Sequence, residues 1–117
     1  MNTIKVVINS DFGGFGLSDE AIREYALRKG YTLVEEKRDQ YGFTNFYKGE
    51  ISDDNFFFES DIPRDDELLV EIVQQMGSAA NGKFSSLKVV EIPDGVNWYI
   101  EEYDGREHVA ERHQTWN

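Results

Sequence analysis

The chain has 117 residues, a formal net charge of −11 and no cysteine. This length predicts one domain over residues 1–117, and the lack of cysteine excludes disulfides and thiolate metal sites. The acidity argues against DNA or RNA as a ligand, since nucleic-acid binding depends on neutralising phosphates, but it suits an interaction with a basic protein.

The first predicted elements are a buried strand over residues 4–8 and a helix over Asp19–Lys29. The helix has Ser18 as its N-cap and Gly30 as its stop signal. Between strand and helix lies the segment FGGFGLS, residues 12–18, with three glycines in five residues. Its backbone is expected to adopt positive φ or to be approached closely by other atoms. The segment is either a structural turn or a contact surface, because helix N-terminal amides can bind anions.

The middle of the chain predicts three strands, over residues 31–36, 41–49 and 55–59, the last containing three consecutive phenylalanines. The polar residues 37–40 predict a hairpin turn between the first two strands. No apolar stretch approaches the ~20 residues that span a bilayer, and no signal peptide is visible. We therefore expect a cytoplasmic protein without a membrane partner.

A second helix is predicted after Pro63, with Asp65 as its cap and Gly77 at its end. Arg64 precedes this helix N-terminus. It would either complete an anion site with the helix amides or form a surface ion pair with one of the neighbouring aspartates.

Three strands are predicted near the end of the chain, over residues 84–92, 96–103 and 106–112. The pair Asp104-Gly105 predicts a type I′ turn that places Glu101 opposite His108. Val96, Trp98, Ile100 and Val109 then form the apolar, core-facing side. The other side is either an ordinary solvated face or a ligand platform, on which Tyr99 and Tyr103 would stack on a planar group while Arg106, His108 and Arg112 meet an anion.

The element order β-α-β-β-β-α-β-β-β predicts an α+β fold, with a largely antiparallel β-sheet and two helices packed on one face. Catalytic signatures are absent from the sequence: there is no Walker A loop, dinucleotide fingerprint or nucleophile elbow. The acidic pairs lack EF-hand spacing. We therefore expect no catalysis, metal or cofactor, although Glu101 and His108 leave a small nucleotide-processing enzyme as an alternative.

The chain also resembles a family of small, mostly uncharacterised proteins encoded by tailed phages and prophages. The similarity covers most of the chain apart from residues 31–60, and its motifs are KVVIN, FGGFGLS, IPRDD, IEEYDG and HQTW. Gln114 stands where a basic residue is expected. The resemblance implies a viral accessory protein that acts in the cytoplasm of a bacterial host.

Small phage proteins of this kind often counter host immunity, either by trapping a nucleotide signal, such as the cyclic ADP-ribose type of the Thoeris system, or by binding a defence protein. The leading hypothesis is sequestration of a nucleotide-like small molecule by a homo-oligomer. The alternative is an acidic inhibitor that occupies a basic site on a host protein. The predicted ligand-binding residues are Phe12, Gly13, Gly14, Phe15, Gly16, Ser18, Arg64, Tyr99, Tyr103, Arg106, His108 and Arg112.

Overall fold

The computed structural model describes residues 2–38 and 43–112, and the side chains of Arg38 and Phe43 are not considered. Three predicted features lie wholly or partly outside the described residues. They are part of the 37–40 turn, the first two residues of the 41–49 strand, and the HQTW motif. Within the described part, no helix is both long and apolar enough to cross a membrane.

The predicted α+β class is confirmed, with six antiparallel strands and two α-helices in the described residues. The strands form three two-stranded sheets rather than one continuous sheet, pairing β1 with β4, β2 with β3, and β5 with β6. The elements are β1 (Thr3–Asn9), α1 (Asp19–Lys29), β2 (Leu33–Arg38), β3 (Phe43–Lys48), α2 (Glu67–Met76), β4 (Leu87–Pro93), β5 (Trp98–Tyr103) and β6 (Arg106–Glu111).

Helix α1 begins and ends where its capping signals predict. The Ser18 hydroxyl accepts a hydrogen bond from Ala21 N, and Gly30 ends the helix in the left-handed region at φ 80°. The buried side of α1 carries Ile22 and Tyr25. These side chains belong to the main core, which they share with residues of α2, β1 and β3.

Helix α2 is capped by Asp66 rather than by the predicted Asp65. The Asp66 side chain accepts from Leu68 N at 2.9 Å and also from the hydroxyl of Tyr25 at 2.5 Å. The cap therefore joins the two helices as well as starting α2. Leu69 and Ile72 are fully buried, and the helix packs against β1 and β4 as well as α1.

The predicted strand over residues 55–59 is wrong. Short 3-10 turns at Asp53–Asn55 and Glu59–Asp61 leave only an isolated bridge between Phe56 and Tyr47. Of the three phenylalanines, Phe57 is buried and Phe58 is half exposed. The apolar run therefore lies between two 3-10 turns and does not form a strand beside β3.

The side chains of Arg64 and Glu107 and the backbone carbonyl of Arg64 occupy the outer edge of β1, facing the β5–β6 hairpin. Val7 N donates to the Arg64 carbonyl at 2.8 Å, and the Arg64 guanidinium donates to the Val7 carbonyl at 3.3 Å. Asn9 N donates to Glu107 Oε1 at 2.8 Å. Because these groups take the places of a neighbouring strand, β1 pairs with β4 alone within the described chain.

Candidate functional site

The glycine-rich loop is held against the turn of the β5–β6 hairpin. Gly13 N donates to the Asp104 carbonyl at 3.2 Å, and a Cβ added at Gly105 would lie 2.2 Å from Gly14 N. Gly13 and Gly14 have φ of 120° and 98°. The predicted positive φ and close approach are therefore confirmed, and both serve the docking of loop on turn.

Gly16 and Ser18 are used within the fold. The Gly16 carbonyl accepts from Gly82 N at 3.1 Å and from the Ser85 hydroxyl at 2.7 Å. Besides capping α1, the Ser18 hydroxyl donates to the Ala79 carbonyl at 2.6 Å. These contacts join the loop to the segment that follows α2.

Arg64, which is partly buried, forms a two-pronged ion pair with the buried Glu107, at 2.6 and 2.9 Å. The Arg64 side chain is 16% exposed and the Glu107 side chain 6%. The guanidinium also lies 3.6 Å from the centroid of the Phe15 ring. Arg64 was predicted to complete an anion site or to pair with a neighbouring aspartate. In the structure its guanidinium is instead paired with the buried carboxylate of Glu107, from the distant hairpin.

Asn9 completes this arrangement, which we call the edge junction (Asn9, Arg64 and Glu107). Asn9 is fully buried, and its amide nitrogen donates to the carbonyls of Asp11 and Gly105, both at 2.7 Å. Its amide oxygen accepts from Ser86 N at 2.9 Å. A buried polar group is tolerated when its hydrogen bonds are satisfied, so Asn9 can join β1, the loop and the hairpin.

The sequence analysis missed Asn9 and Glu107 as structural centres. Asn9 follows the strand predicted over residues 4–8, and nothing in the sequence indicated that it would be buried. Glu107 did carry a signal: the predicted register places it on the apolar side of the hairpin, beside Ile100 and Val109, where a carboxylate requires a partner. The identity of that partner could not be read from the sequence because Arg64 is 43 positions away.

The polar side of the hairpin has the predicted register, with Tyr103 opposite Arg106, Glu101 opposite His108 and Tyr99 opposite Ala110. His108 Nε2 lies 2.6 Å from Glu101 Oε2, in an exposed pair. At the open end of the hairpin, the Arg112 guanidinium lies 4.6 Å from the centroid of the Tyr99 ring.

The predicted cations are not gathered into one pocket. Side chains alternate between the two sides of a strand, so Glu107 and its partner Arg64 lie on the opposite side from Arg106 and His108. Arg106 and Arg112 are separated by six residues, or about 20 Å of extended chain. The structure therefore divides the predicted site residues among the loop, the edge junction and the open end of the hairpin.

Three exposed aromatic residues lie on the segments that come together where the loop contacts the hairpin, and we call them the aromatic tip (Phe12, Phe84 and Tyr103). Their exposed fractions are 55%, 64% and 73%. A Cβ added at Gly13 would lie 2.8 Å from Phe84 Cβ, which places Phe84 directly beside the loop. Arg106, opposite Tyr103 in the hairpin, lies 6.0 Å from the Phe12 ring centroid.

A groove of about 600 Å³ lies along the loop at the start of α1, and Phe84 of the aromatic tip is among its lining residues. Its charged lining includes the carboxylates of Asp19, Glu20 and Glu59 and the side chains of Arg23 and Lys83. Glu59 accepts from Leu17 N at 2.6 Å. Burial raises the pKa of Glu59, an effect that this hydrogen bond opposes.

Comparisons with protein-family models, with curated proteins and with solved structures found no match. Among the described residues, no group of three or more histidine and acidic side chains is placed to share a metal ion. The geometry of the loop, groove and aromatic tip is therefore the basis for a functional proposal.

Proposed function

We propose that the protein is a binding protein without catalytic activity, and that the aromatic tip docks on the surface of another protein. The proposal rests on Phe12, Phe84 and Tyr103, which are all more than half exposed and lie on segments that are packed together where the loop contacts the hairpin turn. Large aromatic side chains are enriched at the energetic centres of protein interfaces. The backbone beneath them is anchored, so little ordering is needed when they bind.

The charge of the chain supports a basic partner. The net charge is −11, and the exposed carboxylates Asp11, Glu102 and Asp104 flank the aromatic tip in sequence. Complementary charge accelerates association and favours the correct partner. The partner surface suited to this tip therefore has apolar recesses surrounded by lysine or arginine.

The resemblance to phage proteins supports the cytoplasm of a bacterial host as the place of this interaction. In that setting the protein is an accessory inhibitor, present in the host cytoplasm, that occupies a basic site on a bacterial defence protein. A basic surface that normally holds nucleic acid or a nucleotide is a suitable target, since an acidic protein can compete for the same cations.

The test is site-specific photo-crosslinking in a bacterial lysate. A photoreactive phenylalanine analogue placed at position 84 is expected to capture a basic protein, and capture should weaken as salt is raised. The matched control is the same analogue at Leu27, which is 73% exposed near the far end of α1. Equal capture from both positions would exclude the aromatic tip as the docking surface.

A second candidate function is sequestration of a nucleotide-like small molecule in the groove beside the loop. The groove volume of about 600 Å³ supports it, because small-molecule sites commonly measure about 300–1,000 Å³. The carboxylates of Asp19, Glu20 and Glu59 weigh against an anionic ligand. A second copy of the chain, as in a homo-oligomer, would be needed to enclose the ligand and supply further cations.

Isothermal titration calorimetry with cyclic nucleotides and cyclic ADP-ribose isomers tests this second candidate. Sequestration predicts stoichiometric binding and recovery of intact ligand after denaturation. Release of an altered ligand would indicate an enzyme instead, and absence of binding up to millimolar ligand would eliminate the candidate.

A further inference from the structure

A second cavity, of about 350 Å³, lies away from the aromatic tip, where β3 meets the 3-10 turns and the start of β2. We call it the aromatic cavity. Its walls include five aromatic side chains, which are Tyr25, Tyr31, Phe56, Phe57 and Phe58.

The ammonium group of Lys48 occupies a position against these rings. Lys48 Nζ lies 4.0 Å from the centroid of the Tyr31 ring and 5.5 Å from that of Phe57. Both distances are within the ~6 Å at which a cation is attracted to an aromatic face. The cavity thus already holds an alkylammonium group, supplied by the chain itself.

The charges of the lining favour a cation further. Asp54 and Asp61 contribute carboxylates, and Lys48 is the one basic residue among the cavity-lining residues of the described chain. If the Lys48 side chain swings outward, the cavity keeps its rings and two negative charges. Lysine has a flexible four-carbon stem, and residue 48 is exposed, so this movement requires no change in the backbone.

Part of the cavity wall is held rigidly. Tyr25 is 5% exposed and donates its hydroxyl hydrogen to Asp66 at 2.5 Å, while burial and this hydrogen bond raise the pKa of Tyr25. Phe56 and Phe58 have ring centroids 4.5 Å apart, and Tyr47 contacts Phe56 edge to face. A rigid set of aromatic faces is the arrangement that recognises quaternary ammonium and methylated lysine groups.

We propose that the aromatic cavity is a binding site for an alkylammonium group, and that Lys48 is an internal occupant which an external cation displaces. The ligand class is a quaternary or methylated ammonium, either free or on a lysine side chain of another protein. This site shares no residue with the aromatic tip, so it stands or fails separately from the proposed function.

The experiment compares Lys48→Ala with the wild-type chain, using choline as the free probe and a trimethyllysine peptide as the side-chain probe. Removing the internal competitor is expected to tighten choline binding by about tenfold, in line with the strength of a cation–aromatic contact. Calorimetry gives the affinities, and shifts of the aromatic proton resonances locate the site. Lys88→Ala is the matched control, since Lys88 is an exposed strand lysine outside the cavity.

Two further variants test the rings in the Lys48→Ala background. Tyr31→Leu is expected to remove choline binding and Tyr31→Phe to keep it, because only the first deletes the aromatic face. Phe58→Leu provides an independent test at a side chain that is 53% exposed, where the fold tolerates change. Tighter binding of the peptide than of choline would indicate that the ligand is a lysine side chain of another protein. Tighter binding of choline would indicate a free amine. Either result supports the site.

The proposal is overturned if Lys48→Ala binds choline no better than Lys88→Ala does. It is also overturned if AMP binds the wild-type chain at this cavity and is lost in Lys48→Ala, since the lysine would then be a contact for an anion. Sodium chloride at the choline concentration controls for a general effect of ionic strength.

Discussion

At the scale of single residues, Glu107 holds the hairpin to the rest of the molecule. Its carboxylate receives both prongs of the Arg64 guanidinium and also Asn9 N. Removing one partner of a largely buried ion pair is costly because the other charge is left unpaired with little access to water.

Glu107→Ala is expected to lower the free energy of unfolding by about 3–5 kcal/mol. Urea denaturation followed by circular dichroism measures the change. Glu111→Ala is the control, since Glu111 is exposed on the same strand and should change stability by less than about 0.5 kcal/mol. The double variant Arg64→Met/Glu107→Gln should be more stable than Glu107→Ala because it leaves no unpaired charge. Equal effects of Glu107→Ala and Glu111→Ala would show that the ion pair adds little.

Glu59 is a residue whose ionisation opposes folding. Burial raises its pKa above the ordinary value of 4.5, so the folded state binds the proton more tightly than the unfolded state does. The energetic penalty is therefore present above the folded pKa. It disappears as the pH falls through the folded pKa to below the unfolded value.

Glu59→Gln is accordingly expected to raise the melting temperature at pH 7, with a gain that shrinks as the pH is lowered towards 4. The amide oxygen of glutamine can still accept from Leu17 N. Thermal melts over this pH range, with exposed Glu50→Gln as the control, give the comparison. A gain that is constant with pH would rule out ionisation as its cause.

At the scale of elements, the loop and the hairpin turn require glycine for different reasons. Gly105 has φ of 86°, and an added Cβ would meet Gly14 N at 2.2 Å. Gly95 has a nearly equal φ of 88°, but an added Cβ would meet no atom within 4 Å. Substituting alanine at each of the two positions therefore separates the cost of backbone strain from the cost of a steric clash.

Gly95→Ala is expected to cost about 1–2 kcal/mol, the usual penalty of left-handed backbone for alanine. Gly105→Ala should cost about 2 kcal/mol more, because the turn must move away from the loop. Chemical denaturation measures both. Of these two variants, only Gly105→Ala should also weaken binding through the aromatic tip. Similar losses of stability in the two variants would contradict tight packing of turn on loop.

The elements predicted correctly are those defined by local chemistry. Ser18 and Gly30 mark both ends of α1, and Asp104-Gly105 sets the hairpin register, because capping and turn geometry involve neighbouring residues. The strand predicted at residues 55–59 failed because three apolar residues in a row satisfy a strand pattern but do not reveal flanking 3-10 turns. The edge junction and the aromatic tip combine residues far apart in sequence, so neither could be predicted.

At the scale of the whole molecule, the net charge of −11 opposes compactness by self-repulsion. Salt screens this repulsion, but it also weakens exposed ion pairs such as Arg23 with Glu35. Exposed pairs contribute little individually, so screening of the net charge should dominate.

The melting temperature is therefore expected to rise by a few degrees between low salt and about 0.5 M sodium chloride, over which the screening length falls several-fold. Differential scanning calorimetry at pH 7 measures it. A variant with several exposed carboxylates changed to glutamine should show a smaller rise. A melting temperature that falls with salt would mean that the ion pairs outweigh the repulsion.

The pairing of β1 with β4 has a consequence for how the chain is made. Val6 and Val7 are synthesised more than 80 residues before their partners Val90 and Val89. The hairpins β2–β3 and β5–β6, by contrast, close between neighbouring segments and need no such wait. During translation β1 therefore remains an apolar segment without its partner strand. Chaperones that recognise nascent chains should bind to it until the β4 segment has left the exit tunnel.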